Sequence, residues 1–102
     1  MSEYQWGQAA RIRCLRDYLG LSVNELAAAL NVSTRSYQSF ESGRAAIPAG
    51  VMADVNALVH RLDVLAADYS SRDELSIADM SAFELRAAGI AAAANQELQI
   101  SQ

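Results

Sequence analysis

Residues 19–48 read LGLSVNELAAALNVSTRSYQSFESGRAAIP, and the punctuation of this run governs what surrounds it. Ser22 stands three residues before Glu25, the S-x-x-E spacing in which hydroxyl and carboxylate each cap the other's backbone N–H at a helix start. Val23, Leu26, Ala27 and Leu30 follow on one stripe, which predicts a helix over about 22–30. Asn31 closes it. Ser33 is a good N-cap for a second short helix whose inward residues are Tyr37 and Phe40. Val32 and Tyr37 occupy the two positions of a hydrophobic staple around that cap, which sets the angle at which the second helix leaves the turn. Glu41-Ser42-Gly43-Arg44 ends it.

Outward from this core the chain reads as further helices. An N-terminal helix over about 8–19 places Ile12, Leu15 and Leu19 on one face and is ended by Gly20. Pro48 opens a longer helix carrying Val51, Val55, Leu58, Leu62, Leu65 and Tyr69 at alternating spacings of four and three. That seam is short for a coiled coil, so ordinary core packing is the stronger of its two readings. Residues 70–81 form a polar connection in which Ser71 before Glu74 and Ser81 before Glu84 are possible caps. A fifth helix over about 82–97 puts Phe83, Ala87, Ile90 and Ala94 on one side, with Leu98 continuing the row. Strand signals are nearly absent, and the last residues are expected to fray. The resulting division is 1–69 and 70–102.

Composition narrows the function. At 102 residues and 52 % hydrophobic, the chain can hold one folded domain with an appended element. No apolar stretch approaches the roughly 20 residues that span a bilayer, and the start lacks a signal-peptide layout, so a cytoplasmic protein without a membrane partner is expected. One cysteine, Cys14, and one histidine, His60, are too few for a disulfide or a zinc site; the first is expected as a small packed side chain and the second on a helix surface. The sequence predicts no metal, no cofactor and no catalysis, since neither a Cys/His pair close in sequence nor a glycine-rich phosphate loop is visible. Net charge is −4, but it is unevenly spread. Residues 1–48 hold five arginines against four acids, and 49–102 hold three against eight, so an anion-facing surface belongs in the N-terminal half.

Two short helices joined across Asn31-Val32-Ser33 and preceded by a longer one have the layout of a helix-turn-helix. In Leu19-Gly20-Leu21-Ser22, Glu25-Leu26-Ala27, Val32-Ser33 and Phe40-Glu41-Ser42-Gly43 the sequence resembles the lambda-repressor-like or Xre family. The run from Arg35 to Pro48 further resembles YdiL-like proteins and anti-CRISPR-associated autorepressors, in which a long helix and a C-terminal helical dimerisation region follow. The resemblance implies an all-α, five-helix lambda-repressor-like domain with a C-terminal dimerisation helix. It also implies a repressor binding double-stranded DNA as a homodimer. Val23 stands where the Xre pattern often has a phosphate-holding glutamine, which shifts that role to Ser22, Asn24 and backbone N–H groups.

The residues themselves support a DNA reading. With Tyr37 and Phe40 inward, the helical wheel leaves Thr34, Arg35, Ser36, Gln38 and Ser39 outward or at the margin, beside the capping Ser33. Arg35 can donate two hydrogen bonds to guanine and Gln38 can pair with adenine, each worth about 1–3 kcal/mol of discrimination. Thr34, Ser36 and Ser39 are short enough to allow close approach. Arg44 is placed for the sugar-phosphate backbone, and Arg11, Arg13 or Arg16 for a flanking phosphate. Glu41 is expected in a structural ion pair, and Tyr37 in the core with its hydroxyl as a possible phosphate donor. Tyr4 and Trp6 could pack on the domain or clasp a partner. An antitoxin or antirepressor that neutralises a protein partner is the rival reading, favoured by the net charge; RNA binding is weaker, because no exposed aromatic platform is evident.

Overall fold

The computed structural model describes the backbone of residues 3–102 and the side chains of residues 7–102. The elements run α1 (Glu3–Leu19), α2 (Val23–Ala29), α3 (Thr34–Glu41), α4 (Ala49–Ser70), β1 (Glu74–Ser76), α5 (Ala82–Ala94) and β2 (Gln99–Ser101). The all-α helix-turn-helix architecture is present. The chain divides into two compact units, Met1–Val59 and His60–Gln102, with the boundary inside α4. Helix α1 begins earlier than its apolar spacing suggested. The side chains of Tyr4 and Trp6 lie outside the described residues.

In the first unit each helix stops or starts at a residue chosen for its backbone. Ser22 accepts the N–H of Glu25 at 3.1 Å while Glu25 accepts the N–H of Ser22 at 2.8 Å, so the expected capping box is closed. Helix α2 ends where Asn31 takes φ 58°, and Val32 N–H reaches Ala27 O while Asn31 N–H reaches Ala28 O. This paired 6→1 and 5→2 pattern consumes two carbonyls that the helix end leaves without partners, and asparagine tolerates the left-handed region better than most side chains. Helix α3 then starts at Ser33, whose Oγ accepts the Ser36 N–H at 3.0 Å. Gly43, at φ 76°, ends it with its N–H on Phe40 O. Ile12, Leu19, Leu26, Tyr37 and Val55 are fully buried and form the centre of this unit.

The second unit departs from its sequence reading in three places. Where a polar connection and a fraying end were expected, β1 and β2 pair in parallel with Leu75 opposite Ile100. Parallel strands require a long crossover, and α5 supplies it. Glu74 opens β1, so Ser71 does not cap a helix there, whereas Ser81 and Glu84 do form a closed capping box for α5. The buried residues of α5 are Ala87, Ala88 and Ala91, a row rotated from the predicted one; Ile90 is half-buried and Ala94 exposed. The helix also stops at Ala94, with Asn95 donating its side-chain amide to Ser70 O at 2.9 Å. On α4, Val55, Leu62 and Tyr69 of the seam are buried together with Ala66, while Val51, Leu58 and Leu65 are half-buried.

Candidate nucleic-acid interface

Helix α3 carries the site, and its position depends on a polar cluster behind it. Arg16 of α1 grips Glu41 with two guanidinium nitrogens, Nε on Oε1 at 2.5 Å and Nη2 on Oε2 at 3.3 Å. Its remaining arm donates to Leu21 O at 3.2 Å. Tyr37, which is wholly buried, donates its hydroxyl to the same Glu41 Oε1 at 2.9 Å. The carboxylate therefore accepts from α1 and from α3 at once, which fixes the C-terminal turn of α3 against α1. The hydrogen bond to Glu41 raises the Arg16 pKa further above its ordinary value. Burial, followed by the hydrogen bond to Glu41, pushes the Tyr37 phenol well above its own. Phe40 meets Tyr37 edge to face at 6.3 Å between ring centres, completing the apolar back of the helix.

Glu41 thus has the structural role expected of it. Two other expectations change. Arg16 is withdrawn from the flanking-phosphate candidates because its guanidinium is bound to Glu41 and Leu21, leaving the exposed Arg11 and Arg13. The Tyr37 hydroxyl faces Glu41 rather than solvent, so it is no phosphate donor. Cys14 is exposed, not packed: its place on α1 lies off the buried line of Ala9, Ile12 and Leu19.

On the opposite side of α3, Arg35, Gln38, Ser39 and Arg44 line one shallow concavity together with Ser42. Sequence reasoning assigned Ser42 only to the helix end. The signal was its spacing, three residues after Ser39 and four after Gln38, which continues the same stripe past the last helical residue. Among the described residues, the side chains of Arg35, Gln38 and Arg44 make no hydrogen bond or ion pair, so their donors are uncommitted. The serines are different. Ser39 donates to Arg35 O at 3.1 Å and Ser42 to Ser39 O at 3.2 Å, so toward a ligand each hydroxyl is an acceptor.

The remaining predicted site residues form a second group at the helix starts. Thr34 donates to Asn24 Oδ1 at 3.1 Å, which joins α2 to α3 and leaves the Asn24 amide nitrogen free to donate. Ser33 donates to Ser36 Oγ at 3.0 Å while accepting its N–H, so the Ser33 hydroxyl is committed to the cap and the Ser36 proton is available outward. Ser22 accepts the Glu25 N–H, and its hydroxyl lies against the Glu25 carboxylate within the same capping box. The Glu25 carboxyl is held below its ordinary range, first by the Ser22 backbone N–H and then by the Ser22 hydroxyl. A stable anion beside the α2 start limits how closely a phosphate can approach on that side.

The described residues contain no cluster of metal-ligating side chains, and no described helix is long and apolar enough to cross a membrane. A family described as a helix-turn-helix domain matches residues 9–75. No curated protein and no solved structure matches the chain.

Proposed function

The chain belongs to the helix-turn-helix domain family, and from that premise we propose that it is a sequence-specific transcriptional repressor that binds an inverted-repeat operator as a homodimer and regulates its own expression. The observation that carries this reading is the set of uncommitted side-chain donors, Arg35 and Gln38 on α3 and Arg44 just past its end, gathered in one polar concavity beside a helix whose back is fully engaged. A side chain that has surrendered its hydration shell to no protein partner is ready to exchange water for base edges. Arg35 and Gln38 read bases in the major groove. Arg44, Asn24, Ser36 and Ser22 hold the backbone. No bond is made or broken, and neither cofactor nor metal enters.

One α3 helix buries too little to bind tightly alone, so two copies present theirs to successive major grooves about 34–36 Å apart. Footprinting the DNA upstream of the chain's own coding region tests the reading. Protection of two symmetric half-sites is expected, with log affinity falling against log salt by about 0.9 per phosphate neutralised. Absence of any protected site, together with salt-insensitive capture of a protein partner, would establish the antitoxin or antirepressor reading that the −4 net charge favours.

A further inference from the structure

The second unit ends in an open strand edge. We propose that β2 pairs antiparallel with β2 of a second copy about a two-fold axis at Ile100, making a four-stranded sheet in the order β1-β2-β2-β1; this rests on the dimeric reading above. The parallel ladder fixes which groups are available. Gln99 N–H bonds Asp73 O and Ile77 N–H bonds Ser101 O, so the odd-numbered residues of both strands face each other. The backbone N–H and C=O of Ile100 therefore point away from β1. A residue with both groups on a free edge is what an antiparallel two-fold requires at its centre, because Ile100 and its equivalent then exchange two reciprocal hydrogen bonds.

Side chains favour the same partner. Ile100 lies on the same side of the ladder as its register mate Leu75, yet Leu75 is 4 % exposed and Ile100 43 %. Beyond Ile100 the sheet stops; a second Ile100 directly across the axis would cover it. Natural edges are usually guarded by charge, and the β1 edge is, with Asp73, Glu74 and Asp79 in or beside it. Residues 98–102 carry no charged side chain, so no like-charged side chains meet there, and Gln99 faces Ser101 of the second copy on each side of the axis, two polar pairs.

Sedimentation of the full chain without DNA tests this, with Ile100→Pro as the variant. Proline removes only the outward N–H, so the bonds of Gln99 and Ile77 to the partner strand persist and their amide-exchange protection reports an intact unit. The wild type is expected to dimerise at micromolar concentration and Ile100→Pro to raise the dimer dissociation constant at least about tenfold. If Ile100→Pro fails to fold, Ile100→Glu keeps the N–H and sets like charges at the axis, giving a dimer weakened most at low salt. In a Cys14→Ser background, Ile100→Cys should cross-link under oxidised glutathione and Ser76→Cys on the β1 edge should not, since Cα atoms of a hydrogen-bonded antiparallel pair lie about 5.5 Å apart. A monomeric wild type, or a dimer unchanged by Ile100→Pro and Ile100→Glu because it sits elsewhere, such as beside Val64 and Phe83, overturns the proposal. Half-site protection by the Ile100→Pro monomer at higher concentration keeps the DNA reading intact whatever the strands do.

Discussion

The two faces of α3 treat polarity in opposite ways. On the inner face, Tyr37 and Phe40 are buried, and the one charged group, Glu41, accepts from three donor atoms supplied by Arg16 and Tyr37. On the outer face the side chains of Arg35 and Gln38, and of Arg44 just past the helix end, have no partner among the described residues. The inner face converts its polar groups into position, and the outer face holds them in reserve. Substitutions should divide accordingly, with inner changes read in denaturation and outer changes read in DNA affinity.

The largest effect belongs to Glu41→Ala. It leaves the Arg16 guanidinium, only 16 % exposed, and the Tyr37 hydroxyl facing a void. Removing one partner of such a pair exposes the desolvation cost of the other, about 3 kcal/mol here after allowance for partial solvent access. Urea denaturation should show that loss, with Tm lower by more than about 10 °C. Glu41→Gln, which can still accept from Tyr37, should fall between. A change under about 0.5 kcal/mol for Glu41→Ala would mean that α3 is positioned by its apolar residues alone.

Next come the outer arginines. Arg35→Ala should cost about 1–3 kcal/mol of operator affinity and relax one base position, while thermal stability stays unchanged. Arg44→Ala should weaken every sequence alike and reduce the salt slope by about one. Gel-shift titrations against an operator and its single-base variants separate the two. Equal, sequence-independent losses would reduce Arg35 to a backbone anchor and erase the distinction between reading and holding on this face.

Tyr37→Phe sharpens the inner face with a smaller change, about 1 kcal/mol at neutral pH for the lost hydroxyl bond. Its pH dependence carries more information. The Tyr37 pKa is raised in the folded state, chiefly by burial, so its contribution is fully present below the unfolded value near 10 and is lost as pH rises beyond it. Stability of the wild type should therefore decline above about pH 10. In Tyr37→Phe the decline should be shallower but not absent, because burial raises the Tyr69 phenol too. Identical alkaline limbs in the two proteins would show that the phenol leaves Glu41 before it ionises.

How far the sequence foretold each region follows from the range of the forces involved. Ser22 with Glu25, Asn31, Ser33 and Gly43 act within a turn of where they stand, so the starts and stops of α2 and α3 are legible in order. From them the wheel of α3 follows, and with it Arg35, Gln38, Ser39 and Arg44. Arg16 and Glu41 are 25 residues apart, and no local pattern marks one arginine of three as the partner. Helix α5 fails for another reason: alanines fill most of its faces, so hydrophobic contrast is too weak to fix which row is buried. The strand pair combines both problems. Leu75 and Ile100 meet through three-residue strands too short for alternation to stand out, and their pairing closes only after α5 has formed between them.

The contact between Thr34 and Asn24 crosses the divide, for it lies on the exposed side yet is spent within the chain. Exposed hydrogen bonds exchange with water at little net cost, so Thr34→Val should change stability by less than about 0.5 kcal/mol. Its consequence lies elsewhere. By donating to Oδ1, Thr34 holds the Asn24 amide with its nitrogen turned outward, and without that bond the amide is free to rotate and to present an acceptor to a phosphate. Thr34→Val should therefore lower affinity for all sequences by a few-fold, as a lost backbone contact does and a lost base contact does not. A double-mutant cycle with Asn24→Ala decides whether Thr34 acts through Asn24. If it does, the double variant binds no worse than Asn24→Ala alone; full additivity means that Thr34 touches the DNA itself and belongs with Arg35 and Gln38.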